Sequence, residues 1–393
     1  MEKIVLVINS GSSSIKFSLI NISANTTIMT GMAEKLELAN AAMYIKHDGI
    51  KEDILLEGND HAAAMQSLLK VLRQKGLSQI ITAIGHRVVH GGEKFKTATI
   101  INDEVISAIE GCILFAPLHN PANLLGIRVA MKAAPQLPQV AVFDTAFHHT
   151  LPKHAYLYAV PLHLYKEYGV RRYGFHGTSH QYVAQQAADL LQIPLSNSAF
   201  ITAHLGNGAS AAAILNGRSI DTTMGFTPLE GLVMGTRSGD IDPGLYPYIG
   251  KVLGLEMDMV TDLLNKKSGL LGLSDLSSDV RELQDAAANG HEQAQLALEV
   301  FGYRLAKYIG ALTVTLPRVD ALVFTGGIGE NSAMIRSMVL EYLKVLGYKT
   351  DAGENNIAVG GRQAVITTTD SAKAIVINTN EELMIAMETA SLL

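Results

Sequence analysis

The chain has 393 residues, of which 48% are hydrophobic and 17% charged, and its formal net charge is −6. That balance describes a folded chain with a large core and excludes a disordered one. It also argues against a nucleic-acid binder, which needs clustered Lys and Arg in excess. The length favours two domains.

The opening stretch, residues 4–20 (IVLVINSGSSSIKFSLI), has two apolar runs with strand periodicity around a small polar segment, the pattern of a β-hairpin. Its tip, Asn9 to Ser14, offers backbone N–H groups and hydroxyls beside Lys16. It reads either as a phosphate-facing turn or as an ordinary Ser/Gly turn. The run is too short and too polar to span a bilayer and lacks a cleavable leader pattern, so the cytosol is expected, with no membrane partner. Alternating pieces continue to about Leu56, and apolar spacing over residues 61–76 then predicts an amphipathic helix closed by Gly76. Next, IITAIGHRVVHGG is a strand that ends in Arg87, Val89 and His90, at the strand end where open α/β sheets bind ligands.

Residues 103–109 suggest a helix, and Cys112 beyond them lies in an apolar setting (GCILFA) that suits a buried small hydrophobe better than a nucleophile. As the single cysteine it permits no internal disulfide. Pro117 and Pro121 place Leu118, His119 and Asn120 in a rigid turn before a helix over residues 122–134. The strand VAVF ends at Asp144, a carboxylate costly to bury without a partner or metal, hence a site candidate rather than a turn cap. A domain boundary is expected near residue 148.

The second half repeats the first. Residues 199–223 read strand, glycine-rich turn (Gly206, Asn207, Gly208), strand, Asn216-Gly217 turn, strand, which suggests an internal duplication. Phe175 and His176 occupy a glycine-flanked loop before a helix capped by Thr178 or Ser179. A long Gly/Pro loop, residues 224–244, carries Arg237, and loops of that length are uncommon unless functional. Helical pattern covers about 258–316, with Asp279 as a capping carboxylate. Then ALVFTGGIGENS predicts a strand, a turn at Gly326 to Gly329, and a helix opening at Asn331 or Ser332, a geometry that receives phosphate or nucleotide. The final segment predicts a strand and a helix with Glu381 and Glu382 in its first turn, either surface carboxylates or functional ones.

Taken in order, NSGSSSIKF, GHRVVHGG, FAPLHNP, VFDTAFH, YGFHGTSH, HLGNGAS, MGTRSGDIDPG, SSDVR, FTGGIGENS and TNEE make the whole chain resemble the acetate kinase family, within the acetate and sugar kinase, actin and heat-shock chaperone superfamily. The resemblance implies an α/β fold of two duplicated ribonuclease H-like (actin-like ATPase) domains, with mixed sheets flanked by helices and an active site in the interdomain cleft. It implies an N-terminal acetate- and phosphate-binding domain at residues 1–148, completed by a helix at about 382–393, and a C-terminal nucleotide-binding domain at residues 149–381. It implies ATP, acetate and acetyl phosphate as partners, Mg2+ as the ion with Mn2+ as a substitute, and a homodimer.

For individual positions, the resemblance implies that Arg87 pairs with the acetate carboxylate, and that Val89, Leu118, Phe175 and Pro228 enclose the methyl group, with His119 beside them. Asp144, His176 and Arg237 would act on the transferring phosphoryl group. Asn9 and Glu381 would hold the metal. Ser12, Lys16, His204, Leu205, Gly206, Asn207 and Gly208 would lie against the phosphates. Asp279, Val280, Arg281, Gly327, Ile328, Gly329, Glu330 and Asn331 would hold the adenosine. The motifs barely differ between acetate and propionate kinases, and Val89 favours acetate because a β-branched residue leaves less room beside the methyl.

Overall fold

A computed structural model describes residues 2–117 and 119–393; Leu118 lies outside the described residues. The chain divides into two units, one formed by residues up to His149 together with Asn380–Leu393, the other by Thr150–Thr379.

In the first unit, β1 (Ile4–Ser10) and β2 (Ser14–Asn21) pair antiparallel, with Asn9 opposite Lys16. The turn between them is only residues 11–13, shorter than the tip expected from sequence, because Asn9, Ser10 and Ser14 all join the ladder. β3 (Thr26–Glu34), β4 (Ala42–His47) and β5 (Ile50–Ile54) continue the meander. Parallel strands β6 (Ala83–Val88) and β8 (Gln139–Phe143) extend it on the other side of β1, and the two-residue β7 (Thr99–Ile100) closes that edge. Helix α1 (His61–Gln74) is capped by Asp60; α2 (Asp103–Gly111) and α3 (Asn120–Ala133) follow.

Apart from the extra β4–β5 hairpin, the second unit repeats that plan. β9 (Ala199–Leu205), β10 (Ala209–Leu215) and β11 (Arg218–Thr222) are antiparallel, β12 (Ala321–Thr325) and β14 (Ala374–Val376) are parallel to β9, and β13 (Ala364–Val365) closes the edge. The strand orders β3-β2-β1-β6-β8-β7 and β11-β10-β9-β12-β14-β13 therefore match position for position. β9, β12 and β14 are wholly buried, which explains their unbroken apolar runs.

The second unit's helices are α4 (Lys153–Tyr156), α5 (Leu162–Tyr168), α6 (Gly177–Leu191), α7 (Leu245–Leu253), α8 (Met257–Lys266), α9 (Gly269–Ser274), α10 (Val280–Ala288), α11 (Glu292–Thr313), α12 (Gly326–Asn331), α13 (Ala333–Tyr342) and α14 (Ala352–Ile357). Three details depart from the sequence reading. Helical structure begins at α7, before residue 258, because Pro247 sits in the first turn, where a missing N–H costs nothing. Neither Thr178 nor Ser179 caps α6: His176 takes the N-cap position in the left-handed region (φ 56°), and both hydroxyl residues lie inside the first turn. The run Gly326 to Gly329 is not a turn but the start of α12, which follows β12 directly. Gly326 permits this because it adopts φ +75° against the Leu205 backbone, where a Cβ would lie 2.8 Å from the Leu205 carbonyl oxygen.

Helix α15 (Glu381–Ala390), capped by Asn380, returns to the first unit. Its Ile385, Ala386 and Ala390 join a core cluster with Val5, Val7, Val140 and Val142. Among the described residues, no helix is long and apolar enough to cross a membrane.

Candidate functional site

In the first unit, two asparagines of α3 fix the strand ends. Asn123 accepts from Val89 N (3.0 Å) and donates to Ser10 O (2.8 Å), while Asn120 accepts from His90 N (3.1 Å) and donates to His90 O (3.0 Å). The hairpin turn is tied from outside by His61, whose Nε2 lies 2.8 Å from Gly11 O. These anchors set Val89 (8% exposed) and Asn9 beside β6.

Arg87, on β6, meets Asp144, just past β8, in a two-pronged pair: Nε donates to Oδ1 at 3.0 Å and Nη2 to Oδ2 at 2.8 Å. Its Nη2 also lies 3.8 Å from Glu381 Oε2. Burial acts to lower the guanidinium's pKa, but Asp144 and Glu381 outweigh it, so the pKa stands above its ordinary value and Arg87 stays charged. Asp144 is almost fully buried and finds its partner here, as its position after a buried strand required. Lys16 is exposed and forms an ion pair with Glu382 of α15. Ser12 is exposed at the turn, and His119 is half-buried at the N-terminus of α3. Cys112 is buried, and burial pushes its thiol up to about 11, which removes it from nucleophilic chemistry.

In the second unit, the turn after β9 sits beside His176 and Arg237. A Cβ on Gly208 would lie 3.3 Å from His176 Nε2 and 3.5 Å from Arg237 Nη1, so glycine lets the backbone approach the tips of both side chains. Arg237 Nη1 donates to Pro228 O at 3.0 Å. The loop around it is pinched at the base: Asp240 N donates to Gly231 O (3.0 Å), and Gly231 N donates to Asp240 Oδ1 (2.8 Å). Phe175, 1% exposed, precedes His176.

A cavity of about 750 Å³ opens beside this turn. It is lined by Gly206 and Asn207 from the turn, Asp279, Val280 and Arg281 at the start of α10, and Gly327, Ile328 and Asn331 of α12. Asp279 caps α10 by accepting from Arg281 N, and the Arg281 guanidinium grips its carboxylate (2.6 Å), holding that carboxyl below its usual range. Seven residues grouped with these by the sequence do not line the cavity: Ser12 and Lys16 belong to the first unit's hairpin, and the other five lie elsewhere in the second unit. His204, Leu205 and Gly329 are buried in the unit's interior, and Gly208 faces His176 and Arg237. Glu330 turns back to accept from Gly326 N and Thr379 N, both at 2.9 Å, and so joins the end of β12 to residue 379. Ser278, Gln284 and Ser332 line the cavity instead, with Gln284 donating to Ser332 Oγ at 2.7 Å.

For a metal, the sequence candidates offer hard oxygens: the Glu381 carboxylate, 3.8 Å from the Arg87 guanidinium that holds Asp144, and the amide of Asn9 near the end of β1. Among the described residues no group of three or more His, Cys, Asp or Glu could hold an ion unaided. That donor set fits Mg2+, which binds through one or two carboxylates and keeps waters and substrate phosphates in its shell.

With this geometry in place, the relatives can be compared. The profile of the acetokinase family matches residues 4–387. The chain belongs to the acetokinase family. It is 56% identical over 392 residues to the acetate kinase of Chromobacterium violaceum, covering 100% of this chain and 99% of that one, and 53% identical over 385 residues to that of Deinococcus radiodurans, covering 98% and 97%. Among solved structures, the chain superposes on a propionate kinase from Francisella tularensis with a TM-score of 0.95 at 45% identity, covering all of both chains. It superposes on Porphyromonas gingivalis acetate kinase with a TM-score of 0.92 at 44% identity, covering 99% of each. The fold of two duplicated actin-like domains is thereby established for the chain. Asn123 and Gln284 went unread in the sequence because isolated amides carry no periodic signal.

Proposed function

We propose that this protein is an acetate kinase, which moves the γ-phosphoryl group of ATP reversibly to acetate to give ADP and acetyl phosphate by direct in-line transfer. The observation that carries this reading is the 56% identity to an acetate kinase over 392 residues. The nucleotide would occupy the 750 Å³ cavity, whose size falls in the usual range for small-molecule sites. Acetate would bind in the first unit, its carboxylate against Arg87, for which a planar guanidinium is the matched partner, and its methyl against Val89.

Acetate, with a pKa of roughly 4, arrives ionised and needs no general base at neutral pH. Asp144, held by Arg87, therefore orients the guanidinium rather than taking a proton. His176 and Arg237 would stabilise charge on the phosphoryl oxygens, the main work in phosphoryl transfer. A Mg2+ ion bound through Glu381 and Asn9, with Mn2+ as substitute, would supply charge neutralisation at the phosphates. Ser12 and Lys16 would add phosphate contacts from the hairpin.

The test is acetate-dependent formation of a hydroxamate from ATP, Mg2+ and hydroxylamine. ATP turnover with no acetate-dependent product would overturn the reading.

The likeness to a propionate kinase favours a second reading, a preference for the longer acid. One methylene in an apolar pocket discriminates by only about 1–3 kcal/mol, so both acids should react. A higher kcat/KM for propionate than for acetate would reverse the assignment.

A homodimer, the assembly the family resemblance implies, finds support in α7, an apolar helix in which no residue is buried and Tyr248 and Val252 are 63% and 60% exposed. Sedimentation should give twice the 42.1 kDa chain mass.

A further inference from the structure

Beneath the glycine turn, the β9–β10 hairpin and helix α6 meet through a layer of buried polar side chains. Thr202 and His204 alternate on β9, and Ser210 lies directly across from His204 on β10. Helix α6 answers with His176 at its N-cap and Ser179 and His180 three and four residues on, all on one face. Thr202, Ser179, His180 and Ser210 have no solvent exposure.

Their contacts form a chain. Thr202 Oγ1 lies 2.7 Å from His180 Nδ1, His180 Nε2 lies 2.8 Å from Ser210 Oγ, and Ser210 Oγ lies 2.9 Å from His176 Nδ1. His176 Nε2 is the nitrogen nearest the Gly208 turn. Ser210 has one proton and stands between two ring nitrogens, so it can donate to only one of them and at least one ring must donate to it. Only one direction leaves a neutral His176 with N–H at Nε2: Thr202 hydroxyl to His180 Nδ1, His180 Nε2–H to Ser210, Ser210 hydroxyl to His176 Nδ1. The opposite direction presents a bare lone pair at Nε2, which repels phosphoryl oxygens.

We propose that Ser210, backed by His180, is a positioning residue that fixes the tautomer of His176, so that Nε2–H points at the transferring phosphoryl group. This rests on the acetate kinase reading for its catalytic consequence and on the contacts above for its physical content. His204 flanks the arrangement without joining the chain: its ring stacks on His176 at 4.3 Å, and its Nδ1 is engaged by Ser179 Oγ at 2.8 Å.

The experiment combines two readouts on Ser210→Ala. Nitrogen-15 spectra of histidine-labelled protein should show wild-type His176 protonated at Nε2 alone, and the variant should show a mixture of both tautomers. In the hydroxamate assay, kcat should fall by about tenfold or more, as expected when a donor to the transition state is lost part of the time, with the KM for acetate within about twofold. A second pair keeps the test valid if Ser210→Ala folds poorly: His180→Gln, whose amide still donates to Ser210, should keep a much larger share of kcat than His180→Leu. An unchanged His176 tautomer in Ser210→Ala, or equal kcat in His180→Gln and His180→Leu, overturns the proposal. Wild-type protein that makes no acetyl hydroxamate overturns the functional reading instead, and the spectra then still decide the tautomer.

Discussion

At the ends of its parallel strands the first unit carries full charges, with Arg87 on β6 gripping Asp144 past β8 and Glu381 close by. At the matching ends the second unit uses hydrogen bonds rather than an ion pair, with His204 on β9 engaged by Ser179, and the Glu330 carboxylate accepting from Thr325 at the end of β12 and from Gly326 N. The six-strand plan is the same. The contrast shows that the duplicated fold dictates where polar groups cluster but not their kind. A buried ion pair fails abruptly when one member is lost, because the survivor stays charged in a poor solvent. A neutral network instead fails by losing its direction.

Removing Arg237, whose guanidinium reaches Gly208 of the second unit's glycine turn, gives the largest expected effect. Arg237→Ala should lower kcat by on the order of a thousandfold with a much smaller change in the KM for ATP; near wild-type kcat would mean that neutral groups suffice there. Next comes the first unit's pair. Arg87→Ala should raise the KM for acetate strongly and also cost about 3 kcal/mol in urea unfolding, because Asp144 is left buried and unpaired. An unchanged acetate KM would remove Arg87 from the substrate site.

Proton linkage offers a smaller test of the first unit's intolerance of unmatched charge. Burial pushes His86 down to about 4, with its bond to Gln139 opposing only in part. The unfolded chain, with an ordinary value near 6.5, therefore binds the proton first as pH falls. The stability contributed by neutral His86 is present above about 6.5 and drains away down to about 4. Between pH 7 and 5 the wild type should lose about 2 kcal/mol more than His86→Asn; parallel losses would place the linkage elsewhere. The smallest effect belongs to the second unit. A Cβ on Gly235 would collide with the Asn207 side chain at the cavity rim. Gly235→Ala should raise the KM for ATP by roughly threefold, a shift of under 1 kcal/mol, and leave the KM for acetate alone; an unmoved KM for ATP would take Asn207 out of the nucleotide site.

Both hairpins and the long strands were legible because alternation and glycine turns write their own pattern, and Asp144 was legible because a carboxylate after VAVF demands an explanation. The pairing of Arg87 with Asp144 was not, since 57 residues separate them and nothing local records the β6–β8 neighbourhood. β7 and β13, two residues each, are too short for any periodicity. The resemblance placed Glu330 with the nucleotide, and nothing local in the sequence shows that its carboxylate accepts from Gly326 N and Thr379 N. Ser210 hid in an alanine-rich strand, where only the register against His204 exposes its role.

Helix α15 has a consequence for the order in which the protein comes into being. Gly85 leaves the space into which Thr389 packs, and the apolar face of β1 and β8 stays uncovered until Ile385 and Ala386 arrive. About 240 residues separate β8 from that helix, roughly 10–50 s of synthesis at ordinary ribosomal speeds. During that interval the first unit is an unfinished sheet with a sticky surface, exposed to chaperones and to wrong partners. Glu381 rides on the same helix, so the carboxylate proposed for the metal would be delivered by the segment that seals the core, and activity would wait on the finished core.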